Sequence, residues 1–227
     1  MSDTTARVDV WTIPLDGPSP TLDVLSAAER ERAARFVFDR DRRRYIAAHV
    51  AMRRILGTVL GRAPHLLAFT EGPHGKPALM DAPRVHFNLS HSDELAVLAV
   101  SPHAEVGVDL EAATPMTDAD AVAEAHFSPA ELAAWRQLPA PERLPGFYRL
   151  WTRKEAFIKA VGTGLSYPLE RFTVDIDAEH ARVLEIDGDA ERAAAWSVAP
   201  LALETPYVGA VAMPVPALAV TLRSGVA

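Results

Sequence analysis

The sequence predicts an α+β fold: two similar lobes related by a pseudo-two-fold axis, each a small antiparallel sheet with packed helices. Three observations predict it. Apolar residues make up 49% and charged residues 23% of the 227, a soluble globular composition long enough for one large core or two small ones. Helix-period segments and short strand-like runs both occur along the whole chain. Their order also repeats: helix YIAAHVAMRRILG, strand LLAFT and strand ELAVLAV match helix LWTRKEAFIKAVG, strand ERFTVDI and strand YVGAVAM. Phe69 and Phe172 lie 103 positions apart, and Val97 and Ala210 lie 113 apart, a drift that loop insertions absorb. The expected lobes are residues 1–104 and 105–227, with a ligand in the cleft between them.

Each element has a local reason. VDVWTIPL is an opening strand closed by Pro14. Ser26 precedes Ala27-Ala28-Glu29 and reads as the N-cap of a first helix. Ile46, Val50, Ile55 and Val59 recur near a 3.6-residue period and place a second helix over about 41–60, ended by Gly61 and Pro64. EGPHGKPAL is a turn-rich connection, and VHFNLS with ELAVLAVS is a strand pair bent at HSD. In the second half, a helical region over about 118–137 breaks at Ser128-Pro129, where Ser128 reads as a new N-cap. A helix over about 147–161 ends at GTG, and ERFTVDI, ARVLEI, AAWSVAPLA and YVGAVAM follow as strands.

Composition narrows the function. The net charge of −7 argues against a general nucleic-acid binder. Residues 29–54, ERERAARFVFDRDRRRYIAAHVAMRR, are nevertheless dense in arginine. Such a patch suits a small polyanionic ligand or an acidic face of a partner, and a helix with a solvated charged face explains it equally well. There is no cysteine, hence no disulfide or thiol chemistry. No apolar run reaches the roughly 20 residues of a membrane helix. MSDTTARVDVWTIPL lacks the apolar core of a signal peptide, so the expected location is cytoplasmic.

The chemistry-bearing stretch is GVDLE, residues 107–111. In a strand, Asp109 and Glu111 share one face and repel each other, while Val108 and Leu110 back them. Strand-end acids facing solvent are one reading; a divalent cation offsetting the repulsion is the other. On the helix WTRKEAFIKAVGTG, Trp151, Glu155 and Lys159 fall at i, i+4 and i+8 on one face. An exposed Glu155–Lys159 salt bridge accounts for that spacing. The alternative is that Glu155 joins Asp109 and Glu111 on a cation, with Lys159 meeting its phosphate. GPHGKP holds Lys76 on a loop stiffened by Pro73 and Pro77, and it is not a P-loop. HFNLSHSDE places Ser90, His91 and Ser92 where they could donate to phosphate.

Taken together, GKP, FNLSHS, GVDLE and WTRKEAFIKAVGTGL, in this order, resemble the signature of the 4′-phosphopantetheinyl transferases, specifically the surfactin-type (Sfp-like) branch. The resemblance covers most of residues 25–175 and implies two α+β lobes with coenzyme A in the cleft. It implies transfer of the 4′-phosphopantetheine arm of coenzyme A to a serine hydroxyl of an apo acyl, peptidyl or polyketide carrier protein, releasing adenosine 3′,5′-bisphosphate. By position, Asp109, Glu111 and Glu155 would ligate Mg²⁺, with Mn²⁺ as a substitute. The base would be Glu155, directly or through a metal-bound water, with Lys159 as the runner-up and an added positive charge; the family pattern serves both schemes. Arg32, Arg44, Lys76, Pro77, Ser90, His91 and Lys159 would line coenzyme A. At one position where family members carry a phosphate-binding lysine this chain has Glu29, a departure from the pattern. Met116 and Phe127 fall where the carrier docks, although core is the blander reading for Phe127. The expected protein is a monomer that engages neither nucleic acid nor membrane. A coenzyme A pyrophosphohydrolase and a non-catalytic coenzyme A- or carrier-binding module are the competing readings.

Overall fold

A computed structural model describes residues 5–18 and 20–225 of the chain, without the Leu165 side chain. Residues 1–4, on which the signal-peptide reading partly rests, lie outside the described residues. The first half runs β1 (Ala6–Pro14), α1 (Ala27–Ala34), α2 (Asp39–Leu60), β2 (Phe69–Glu71), β3 (Pro77–Leu79), β4 (His86–Ser92) and β5 (Leu95–Ser101). The second runs β6 (Gly107–Ala112), α3 (Ala119–His126), α4 (Pro129–Gln137), α5 (Ala140–Val161), β7 (Phe172–Val174), β8 (Val183–Ile186), α6 (Ala190–Ala194), β9 (Ser197–Pro200) and β10 (Tyr207–Met213). A last strand, β11 (Leu218–Ser224), follows.

The fold is α+β with small antiparallel sheets, and the two halves repeat in topology. Strand order β1-β5-β4 in one sheet matches β6-β10-β9 in the other, and each lobe adds a two-stranded ribbon, β2-β3 or β7-β8. The long helices α2 and α5 have 22 residues each and end on the left-handed glycines Gly61 and Gly162. β11 departs from the repeat: it crosses back and pairs in parallel with β1.

Alternation along the strands builds four layers, α2, sheet, sheet and α5. Ala96, Leu98 and Val100 of β5 pack with Ala48, Met52 and Ile55 beneath α2. The opposite faces of the two sheets meet: Val97 and Ala99 of β5 share one core with Val108 and Leu110 of β6 and Val211 and Met213 of β10. Ala210 and Ala212 face the other way, into the core under Phe157 and Ile158 of α5. The period-2 pattern therefore sends Gly107, Asp109 and Glu111 toward α5.

A staple recurs in each lobe. Ser26 and Glu29 form a capping box at α1, and Ser128 and Glu131 form one at α4, as the S-x-x-E spacing requires. Each cap glutamate also holds a buried cation from the long helix. Glu29 takes Arg53 Nε at 2.8 and 3.0 Å, and Glu131 takes Lys154 Nζ at 2.7 and 2.8 Å. Each cation lies over a phenylalanine of its ribbon, Arg53 over Phe69 and Lys154 over Phe172. Glu29 is thus the N-lobe copy of a structural acid, which accounts for its departure from a phosphate-binding pattern.

Three elements differ from the sequence reading. α5 begins at Ala140, not near 147, because Pro145 sits early in the helix and forfeits a single bond, to the Pro141 carbonyl. Of LLAFT only Phe69 and Thr70 are strand, opening the short β2; a 3₁₀ turn over Pro64–Leu66 precedes it, and the Pro64 and Leu67 carbonyls accept from Arg53. β11 is absent from the sequence reading: it is largely exposed, with Leu218 and Val220 packing on the core between the sheets, and its ladder to β1 carries the rest.

Candidate active site

The site forms where β4, β6 and α5 meet. α5 lies unusually close to β6: a Cβ on Gly107 would stand 2.0 Å from the Ala156 carbonyl oxygen and 2.3 Å from the Ala160 nitrogen. Only glycine permits that approach. It brings the Trp151/Glu155/Lys159 face, half-exposed on an otherwise buried helix, over the carboxylates of β6.

β4 runs beside the free edge of β6, and its side chains take the place of a backbone ladder. Asn88 Oδ1 accepts from Val108 N at 2.9 Å, and Ser92 Oγ accepts from Ala112 N at 3.0 Å. Ser90 Oγ donates to Asp109 Oδ1 at 3.0 Å, and Ser92 Oγ donates to Glu111 Oε2 at 2.9 Å. The alternating N-x-S-x-S within FNLSHS is therefore a side-chain ladder to β6. The sequence reading gives Asn88 no role and makes Ser92 a phosphate donor, although the period of two in N-x-S-x-S is the signal of a side-chain ladder.

Asp109 is 3% exposed. Its Oδ1 also accepts from Lys159 Nζ at 2.5 Å, while its buried Oδ2 has no hydrogen-bond partner. Lys159 Nζ reaches Ser90 Oγ as well, at 3.0 Å. Burial pushes the Glu111 carboxyl above its ordinary range; Ser92 opposes this and the Asp109 charge adds to it. Burial raises Glu155 too, opposed by Lys159 and reinforced by Asp109 and Glu111, so the three acids feel one another. The Glu155 carboxylate accepts no hydrogen bond from the described residues. His91 keeps solvent access at its edge, yet the surrounding protein and then the Lys159 charge hold its pKa down.

As the side chains stand, no group of three His, Cys, Asp or Glu among the described residues is drawn tightly enough to ligate one ion. Lys159 is the cation that satisfies Asp109 here. The donor set nevertheless fits a hard divalent cation in kind: three carboxylates, one with an orphaned buried oxygen that costs free energy unless paired.

The remaining expected ligands of coenzyme A are dispersed. Lys76 Nζ donates to Glu105 Oε2 at 2.6 Å and to the Val106 and Ala160 carbonyls at 3.1 Å, tying the GKP loop to the interlobe link and α5. Pro77 opens β3 beside it. Arg32 lies over the Tyr45 ring at 5.7 Å. Arg44 is committed to Asp16 at 2.7 Å and Asp93 at 2.6 Å, a cluster that joins α2 to the β4–β5 turn. Met116 is partly buried against the C-lobe core. Phe127, expected at the docking surface, is 3% exposed and is instead core, its ring 5.4 Å from Phe147.

No helix among the described residues is long and apolar enough to cross a membrane. Residues 105–212 match the family model "4'-phosphopantetheinyl transferase superfamily", and residues 11–103 match "4'-phosphopantetheinyl transferase, N-terminal". The chain is 37% identical over 214 residues to the 4′-phosphopantetheinyl transferase HetI of Nostoc sp., covering 91% of this chain and 87% of the relative. It is 34% identical to a 4′-phosphopantetheinyl transferase of Bacillus subtilis, covering 72% of each, and 30% identical to Sfp of that species, covering 73% and 72%. With both lobes matched and relatives aligned over most of its length, the chain belongs to the 4′-phosphopantetheinyl transferase superfamily.

Proposed function

We propose that the protein transfers the 4′-phosphopantetheine arm of coenzyme A to a serine hydroxyl of an apo carrier protein. The names of its relatives support the transferred group. The observation that carries the mechanism is the buried Asp109, pinned by Ser90 and Lys159 yet left with one orphan oxygen beside Glu111 and Glu155.

In this reading, Asp109, Glu111 and Glu155 would hold Mg²⁺, with Mn²⁺ as a substitute. When bound, the ion supplies Lewis-acid stabilisation of pyrophosphate charge. The chain's own residues do the rest. Lys159, fixed by its contacts to Asp109 and Ser90, sets a positive charge against the negative charge that develops on the leaving phosphate. Ser92 orients Glu111. Glu155, with no hydrogen-bond donor of its own, accepts the proton of the attacking serine. The serine oxygen forms the new bond to the β-phosphorus, the bridging P–O bond breaks, and adenosine 3′,5′-bisphosphate leaves.

The test is mass spectrometry of an apo carrier incubated with coenzyme A, with and without Mg²⁺. A gain of one phosphopantetheine arm only with metal is expected. Release of adenosine 3′,5′-bisphosphate with no carrier present would indicate a pyrophosphohydrolase instead. Binding of coenzyme A without turnover on a broad carrier panel would indicate a non-catalytic module.

A further inference from the structure

The i, i+4 spacing on α5 offers Lys159 an ion pair with Glu155, one turn back on its own helix. The structure pairs it elsewhere. Lys159 Nζ crosses to Asp109 Oδ1 at 2.5 Å and Ser90 Oγ at 3.0 Å, and the Glu155 carboxylate is left without a partner. Ser90 closes a triangle, because its hydroxyl also donates to Asp109 Oδ1 at 3.0 Å. No other Lys, Arg or His among the described residues pairs with Asp109, Glu111 or Glu155. The cation of the site is therefore committed to the most deeply buried of three carboxylates.

That commitment is reversible by construction. The Asp109 side chain is 4% exposed, while that of Lys159 is 28% exposed. The root of Lys159 is fixed: a Cβ on Gly107 would stand 2.8 Å from the Lys159 carbonyl carbon. Gly107 and Asp109 share one face of β6, so the root lies two residues along the strand from the carboxylate. The four-carbon stem is flexible and has solvent to swing into. Its charge stays on Asp109 until a stronger cation takes the carboxylate or an anion draws the ammonium off.

Both competitors have a place to act. Asp109 Oδ2 is buried and has no hydrogen-bond partner. A divalent cation drawn to that oxygen, Glu111 and Glu155 meets an ammonium already on the same carboxylate. Two positive charges repel strongly where burial limits screening by water. A phosphate relieves this, because it gives the ammonium a charged acceptor of its own.

We infer that Lys159 is a coupling residue: it competes with the divalent cation for Asp109 in the free protein and yields the carboxylate when a pyrophosphate arrives. Ser90 remains its protein contact once the ion has taken Asp109. Metal and pyrophosphate substrate then strengthen each other's binding, since the coupling of two binding equilibria is reciprocal. The free protein is a poor metal binder, and the site loads when both are present. The inference rests on the proposed reading of Asp109, Glu111 and Glu155 as metal ligands.

The test is Mn²⁺ binding, read by electron paramagnetic resonance, to wild type, Lys159→Met and Lys159→Arg, each with and without coenzyme A and with no carrier. Lys159→Met should tighten the Kd for Mn²⁺ alone about tenfold, as expected if Asp109 is free in about one wild-type molecule in ten. Lys159→Arg keeps the charge and should bind Mn²⁺ no tighter than wild type. Coenzyme A should tighten Mn²⁺ binding about tenfold more in wild type than in Lys159→Met. Without metal, Lys159→Met should have a lower Tm, because the buried Asp109 loses its ammonium, and Mn²⁺ should raise that Tm more than it raises the wild-type value. An Mn²⁺ Kd that Lys159→Met leaves unchanged or weakens, or an unfolded variant that Mn²⁺ fails to restore, would overturn the inference and leave metal-dependent transfer by wild type untouched. Tighter Mn²⁺ binding by Lys159→Met, with no transfer by wild type to any apo carrier, would sink the transferase reading and leave the coupling standing. No Mn²⁺ binding by any of the three proteins, with or without coenzyme A, would overturn both.

Discussion

At the fifteenth position of its long helix the N-terminal lobe buries Arg53, and the C-terminal lobe buries Lys154 at the same place. Both are clasped by the glutamate of a capping box, and both lie over a ribbon phenylalanine. One residue further on, the lobes part: α2 has Arg54 where α5 has Glu155. The strands beneath part as well. β1 turns Trp11 and Ile13 toward the core under α2, while β6, in the same place in its sheet, turns Asp109 and Glu111 toward α5. The repeat supplies a frame twice, and the carboxylates were placed in one copy, over a glycine that lets the helix down onto them.

Breaking the staple should give the largest effect. Lys154→Met leaves Glu131, fully buried, without its cation, and should cost about 3–5 kcal/mol in urea unfolding. Arg53→Met should cost less, about 1–3 kcal/mol, because Glu29 keeps 14% exposure and can hydrate. Equal losses would show that burial does not separate the two staples.

Asp109→Asn comes next. Transfer should fall about 10²–10³-fold in kcat/KM, while Tm changes little, because Lys159, which loses its carboxylate partner, is partly exposed and can hydrate. A large drop in Tm would make Asp109 a structural residue instead. Gly107→Ala should cost about 1–3 kcal/mol by overpacking and lower kcat by lifting α5 from β6. Asp9→Ala, in the corresponding strand of the other lobe, removes a partly exposed pair with Arg223 and should cost at most about 1 kcal/mol with kcat intact.

The smallest effect concerns acid. His49 stacks on Tyr45 in the N-lobe, and burial lowers its pKa. The unfolded chain therefore takes up a proton below about pH 6.5 that the folded protein refuses. Stability should fall as pH drops through that value, by at most about 1.4 kcal/mol per unit. His49→Gln should flatten this slope in denaturation midpoints taken between pH 7 and 5; an unchanged slope would assign it elsewhere.

Much of this was legible in one dimension. The N-caps Ser26 and Ser128, the bounds of α2 within two residues, the C-terminal end of α5, the β4–β5 hairpin and the 103-residue offset of Phe69 and Phe172 follow from local pattern. So did the shared face of Trp151, Glu155 and Lys159, because 3.6 residues per turn is a local property. The serines of FNLSHS were read as anion donors, and the structure turns Ser90 and Ser92 onto Asp109 and Glu111. Their partners lie 19 positions away, so no local pattern could name them.

The amino-acid order by itself determined the elements, the repeat and the kinds of group available for chemistry, since periodicity, capping and turn preferences act over a few residues. Only tertiary structure decided which groups meet. The clearance of Gly107 under α5, the orphan oxygen of Asp109, the double duty of Glu29 and Glu131 and the return of β11 to β1 are long-range outcomes of packing. Such contacts depend on distances between segments far apart in the chain, and those distances exist only once the two sheets have closed on their common core.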